Sequence, residues 1–351
     1  MTRYPIQVSQ DKSGLNARDL KGENIQKLFL KILKEKRLML PPLSGYTDYP
    51  YRQILSLLKP PFITTEMVKA RAVVEGNPKT LSMLRKEKGR HLKGSQLLGS
   101  DPDTMAKAAK KLENLGFDYV DINMGCTVRK IASKGEGISL MKNESLACAI
   151  VEKTVSSVKI PVTVKLRIGF SRENINVISF SEKLAWCGAS SITIHGRTGE
   201  KKFASPVDID IIREAASCLQ VPVIANGGIF SGDDALRILK ETKASAVMPG
   251  RAILGNPWII TDILWTLQGK VFTPPGLEEK KKMFWKHFSY LSCCYGEKSS
   301  LFKIRKILPW YFSSCQNLKS LRKDAHSIKD KADIKKILRK LTEKKGSAAY
   351  I

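Results

Sequence analysis

No stretch of the 351 residues approaches the roughly 18 consecutive apolar positions that a membrane span requires. Residues 1–18 also lack the apolar core of a secretion signal, so a soluble cytoplasmic protein without a membrane partner is expected. No two cysteines stand at CxxC spacing, and no Cys/His cluster has the spacing of a structural zinc site, so no metal is expected. An odd total of seven cysteines argues against a disulfide framework. Acidic residues are the scarce charge: 33 Asp+Glu oppose 60 Lys+Arg, a net of +27. From residue 280 to 351 there are 19 Lys+Arg and 5 Asp+Glu, a net of +14, so about half the excess lies in the last fifth of the chain. Charge so localised favours a polyanion, RNA or DNA, over a neutral metabolite.

Hydrophobic residues make up 42% of the chain, enough for a large core. Short apolar runs at 37–41, 62–65, 92–97, 119–123, 161–167, 190–195, 221–226 and 244–249 alternate with longer amphipathic segments. Several runs are continuously apolar, as in parallel strands covered on both faces. Eight such strands in about 230 residues have the rhythm of an α/β fold of the (β/α)8 TIM-barrel type. A doubly wound sheet has a similar rhythm. Helix starts are signalled at Asp48 before Pro50, at Ser100 with Asp103, and at Ser231 with Asp234. Met105, Ala109, Leu112 and Leu115 then form one apolar stripe. Residues 28–40 read either as a hairpin across the barrel floor or as one short helix. After Thr273-Pro274-Pro275-Gly276 only helical patterns remain, with Phe284, Phe288, Leu291 and then Leu301, Ile304, Leu308 on apolar faces. The expected organisation is a loosely ordered extension (1–24), a barrel (25–272) and a small, basic, all-helical C-terminal domain (273–351). A monomer is expected.

In a parallel barrel, ligands sit over the C-terminal strand ends. Those ends carry Gln96, Asn123 with Cys126, Lys165 with Arg167, His195 with Arg197, Asn226-Gly227-Gly228, and Gly250-Arg251. Glycines at the last two loops let main-chain N–H groups approach a phosphate, and Arg251 adds a charged partner. Either loop alone reads equally well as a tight turn. Lys165 suits a Schiff base or a donor to an electron-rich ring, and Gln96 and His195 are further donors. Several donors around one ring suit a reduced flavin. Arg167 and Arg197 are expected at the rim, facing the phosphates of a large substrate.

The set of motifs resembles the tRNA-dihydrouridine synthases. They are Leu40-Pro41-Pro42-Leu43-Ser44-Gly45-Tyr46-Thr47-Asp48, Thr65-Glu66-Met67, Asn123-Met124-Gly125-Cys126, Val164-Lys165-Leu166-Arg167 and His195-Gly196-Arg197-Thr198. Asn226-Gly227-Gly228, Gly250-Arg251-Ala252 and Gly255-Asn256-Pro257-Trp258 complete the set. The resemblance spans residues 37–258 and implies an FMN-containing barrel followed by a tRNA-binding helical domain. It implies that NADPH (or NADH) reduces the flavin, which reduces the C5=C6 bond of a tRNA uridine. Hydride then passes from flavin N5 to C6, and Cys126 protonates C5. By the same resemblance Pro42, Leu43, Ser44, Gln96, Lys165 and His195 hold the flavin ring, and Asn226, Gly227, Gly228, Gly250 and Arg251 its phosphate. Asn123, Arg167 and Arg197 are then substrate-binding. The chain departs from the family pattern at Thr127, usually Pro, at Leu43, usually Met, and at Gly199 and Lys201, usually Arg and Gln. Two other readings are a flavin barrel acting on a small molecule and a non-catalytic RNA-binding protein.

Overall fold

Eight short strands form one parallel sheet, and all but the second coincide with apolar runs that the sequence announces. They are β1 (Phe62–Thr64), β2 (Val68–Lys69), β3 (Leu92–Leu98), β4 (Tyr119–Met124), β5 (Val162–Arg167), β6 (Ser191–His195), β7 (Val223–Asn226) and β8 (Ala246–Met248). Neighbours run β1-β3-β4-β5-β6-β7-β8, with β2 beside β3 at its C-terminal end. This computed structural model describes residues 24–200, 205–315 and 318–342; the expected extension at 1–24 thus lies, apart from Asn24, outside the described residues.

The segment 37–41, expected as the first strand, is instead a single parallel bridge between Leu38 and Val247 of β8. Met39 N donates to Val247 O and Val247 N to Arg37 O, both at 3.0 Å. On the other side the Thr64 hydroxyl donates to Leu40 O. Pro41 and Pro42 have no N–H to extend either ladder, which is why the strand stops there. The bridge still joins β8 toward β1 and gives the sheet its TIM-barrel form.

The ambiguous segment before it is a helix, Ile25–Lys36, capped by the Asn24 side chain. Leu28, Phe29 and Leu33 pack with Phe62, Leu92, Tyr119 and Ala246, the first residues of β1, β3, β4 and β8, so the helix closes the N-terminal mouth of the barrel. Flanking helices cover the outer strand faces. In helix Pro102–Asn114, Met105, Ala109 and Leu112 are buried, but Leu115 lies beyond the last turn and is exposed. Its cap is Asp101 rather than Ser100, because Pro102 takes the first helical position. Ser231 and Asp48 cap their helices as expected.

Four C-terminal helices, Leu277–Tyr295, Glu297–Tyr311, Leu318–His326 and Lys331–Arg339, enclose a second core. Phe284, Phe288, Leu291, Ile304 and Leu308 are buried in it, together with Trp258 from the barrel's last loop. Trp258 also donates through Nε1 to Glu279 at 3.1 Å, and Tyr51 stacks on His287 with ring centroids 5.0 Å apart. The helices are therefore docked on the face of the barrel where the strands end. Among the described residues, no helix is long and apolar enough to cross a membrane.

Candidate active site and adjoining cleft

Parallel pairing aligns the strand ends, and register fixes which side chains meet. Asn123 of β4 pairs with Lys165 of β5, and His195 of β6 with Asn226 of β7. Lys165 Nζ donates to Asn226 Oδ1 at 3.0 Å, and Asn226 Nδ2 donates to Met248 O at 2.7 Å. Gln96 accepts from Asn123 Nδ2 at 2.9 Å and donates to Asp121 at 2.6 Å. The five polar strand-end residues Gln96, Asn123, Lys165, His195 and Asn226 thus lie around one end of the barrel.

Cys126 is partly exposed on the loop after β4. Asn123 Oδ1 accepts the N–H groups of Gly125 and Cys126, at 3.2 and 2.9 Å. Cys126 O accepts from Ile138 N at 3.1 Å, and Gly125 O from Arg167 Nε at 3.1 Å. Gly137, next in chain to Ile138, has a left-handed φ of +61, and a Cβ there would stand 2.8 Å from Cys126 O. Sequence reading passes over Gly137, because nothing in a one-dimensional pattern sets it against Cys126.

Arg167 turns inward rather than to the rim: it is 7% exposed and its Nη1 donates to Thr198 O at 2.8 Å. Arg197, partly exposed, donates to Ser205 O at 2.6 Å and through Nη1 to His195 Nε2 at 3.2 Å. A guanidinium only donates, so His195 Nε2 is unprotonated and its proton sits on Nδ1. Burial, with Lys165, Arg167, Arg197 and Arg251 nearby, drives His195 down to about 2, so it is a neutral imidazole. Burial and Arg167 likewise lower Lys165 to about 8, against the pull of Asp121. Asp121, which sequence reading does not single out, is 4% exposed and raised by burial to about 6.

Gly227 and Gly228 both have left-handed φ, and a Cβ on Gly227 would lie 3.1 Å from the His195 ring. Gly250 has open space where a Cβ would stand. Beyond Pro42, the partly exposed Leu43 and exposed Ser44 begin a turn in which Leu43 N donates to Thr47 and Gly45 N to the buried Glu66. The C-terminal helices hold the same turn: Lys306 Nζ lies 3.7 Å over the Tyr46 ring, and Lys303 pairs with Asp48 at 3.1 Å.

A cavity of about 1010 Å³ lies close to these residues without including Cys126 in its lining. It lies between rim residues Tyr46, Phe230 and Arg251 and the helical residues Lys280, Phe302, Lys306, Trp310 and Arg322. Arg251 alone belongs to both the strand-end cluster and this cleft. The cluster is small, polar and cationic; the cleft is wide, basic and aromatic.

Comparison with known proteins gives a consistent result. A family model described as dihydrouridine synthase (Dus) matches residues 39–346. The tRNA-dihydrouridine synthase B of Pasteurella multocida (strain Pm70) is 33% identical over 298 residues, covering 84% of this chain and 90% of that protein. A probable tRNA-dihydrouridine synthase 1 of Synechocystis sp. is 35% identical over 306 residues, covering 86% and 85%. In fold, histamine dehydrogenase from Rhizobium sp. 4-9 superposes with a TM-score of 0.52 at 15% identity, over 72% of this chain and 49% of that one. The chain spans about half the length of that protein, and the likeness is one of fold.

Proposed function

Because the chain belongs to the dihydrouridine synthase family, we propose that it reduces the C5=C6 bond of uridines in tRNA to 5,6-dihydrouridine. When bound, FMN supplies the hydride, and NADPH, or NADH, restores its electrons.

The donor set fits such a cofactor. Lys165, Arg167, Arg197 and Arg251 bring four cations around His195, with the Asp121 carboxyl beside Lys165. That surplus is unfavourable alone and calls for an anionic group. The left-handed Gly227-Gly228 turn and the clear space at Gly250, with Arg251, would take the phosphate. Lys165, oriented by Asn226, and neutral His195 would lie against the flavin ring, with Pro42, Leu43 and Ser44 on its flank. Gln96 spends its amide on Asp121 and Asn123, so its part is to support the ring's edge and the Cys126 loop together.

Cys126 delivers the proton to C5 as the general acid. Asn123 serves the substrate by holding that thiol's loop, and Arg167 does so through the Gly125 carbonyl. The target base must leave the RNA stack to reach this depth. The adjoining cleft offers what the extruded strand needs: aromatic rings for bases and cations for phosphates. Arg197 is held by His195 and Ser205 at the edge of the cluster.

The observation that carries the reading is the anchoring of the Cys126 loop beside the cationic cluster, by Asn123, Ile138 and Arg167 at once. A small-molecule reductase would leave the 1010 Å³ basic cleft without a task. In the Cys126→Ala variant, flavin content and NADPH oxidation should persist while dihydrouridine formation, measured by mass spectrometry of tRNA digests, falls to a slow residual rate. Unchanged product yield would remove Cys126 from the mechanism.

A further inference from the structure

Asp121 touches no proposed ligand, yet strand register sets it between Gln96 of β3 and Thr163 of β5. Thr163 Oγ1 donates to its Oδ1 and Gln96 Nε2 to its Oδ2, each at 2.6 Å. The Gln96 amide then turns its oxygen to Asn123 Nδ2, at 2.9 Å. Asn123 in turn presents its oxygen to the N–H groups of Gly125 and Cys126. The polarity of this relay is fixed from both ends. A carboxylate only accepts, a main-chain N–H only donates, and each amide between them has one orientation that satisfies both neighbours. Turning either amide over sets donor against donor or oxygen against oxygen.

We propose that Asp121 is a positioning residue for the reduction: by fixing which way the Gln96 and Asn123 amides face, it sets where the Cys126 loop holds its thiol. The inference rests on Cys126 being the proton donor. The other titratable groups near Asp121 are engaged elsewhere. Lys165, on β5, gives its ammonium to Asn226, and the Tyr119 hydroxyl, on β4, is bonded to Thr64. Burial lifts the Asp121 carboxyl to about 6 against its hydrogen bonds and the Lys165 charge. Above that pH the group accepts only. Below it, the acid proton makes one oxygen a donor, and the Gln96 amide keeps its orientation only where that proton turns to Thr163.

A double-mutant cycle on the purified flavoprotein with tRNA tests this, reading dihydrouridine formation, flavin content and NADPH oxidation together. Asp121→Leu removes the acceptor at similar size and should slow product formation about a hundredfold, the loss a misplaced reacting group produces. Flavin content and NADPH oxidation should stay. In a Cys126→Ala background the same change should alter the residual rate less than about twofold, since the group being positioned is gone. Asp121→Asn guards against misfolding: its oxygen can face Gln96 and its amide the Thr163 hydroxyl, so the rate should recover to within about tenfold. The acidic limb near pH 6 should then disappear. Equal losses from Asp121→Leu in both backgrounds overturn the proposal, as does an Asp121→Asn loss as deep as that of Asp121→Leu. Full product from Cys126→Ala alone would instead overturn the proton-donor reading itself, and the positioning role with it.

Discussion

The Cys126 loop shows how little covalent stiffness a loop needs when its neighbours supply the restraint. Thr127 stands where a proline is usual in the family, yet the loop is tied at Asn123, Arg167 and Ile138. Gly137 completes the clamp, since only a residue without Cβ fits its left-handed turn so close to Cys126 O. Gly137→Ala should cost about 1–3 kcal/mol, the usual range for strained backbone. It should also lower dihydrouridine formation more than NADPH oxidation. A melting curve and product yield both matching wild type would show that the clamp is slack. At this scale, Gln96, Asn123, Lys165, His195 and Asn226 were legible because an apolar parallel strand announces its own end. Asp121 and Gly137 were not: their meaning depends on partners across a strand or a loop, which periodicity does not encode.

Among the elements, the short helix Tyr49–Ser56 is held by a fully buried arginine. Arg52 pairs with Glu87 at 2.9 Å and donates to the carbonyls of Thr47, Met83 and Arg85. Removing it strands a buried carboxylate, so Arg52→Ala should cost about 3–5 kcal/mol by denaturant unfolding. Burial pushes Glu87 up, but hydrogen bonds from His91 and Arg52 and the guanidinium charge overcome it and hold it at about 2. A carboxyl whose folded pKa is depressed contributes stability above its unfolded value, here 4.5, which fades as pH falls toward 2. Glu87→Gln should therefore flatten the acid side of the stability profile, and an unaltered profile would count against this pair. Strand spacing and the Asp48 and Ser231 caps were readable from local pattern. The first strand was overcalled because its apolar run hid the effect of Pro41-Pro42 on pairing. Arg52 gave no signal, since Glu87 and the Met83 and Arg85 carbonyls lie more than thirty residues away in sequence.

For the whole molecule, the charge bias of the last fifth of the chain gains a location. Lys280, Arg305, Lys306 and Arg322 line one wall of the cleft and Arg251 the other. If these groups meet RNA phosphates, tRNA affinity should fall steeply with salt, and Lys280→Ala and Arg322→Ala should each reduce the slope of log K against log salt by about one. A flat response in wild type would show the charge to be incidental. The cleft itself was beyond sequence reading, because it exists only where two separately patterned regions meet. The docking of those regions has a consequence for how the protein can be altered. Lys303 and Lys306 grip the turn that begins beyond Pro42, and Trp258 of the barrel is buried in the helices' own core. The tail is thus no detachable adaptor. A chimera given another relative's C-terminal helices would exchange, along with the basic wall of the cleft, the contacts that shape the rim of its own barrel, so such a swap requires both halves of the seam to be exchanged together.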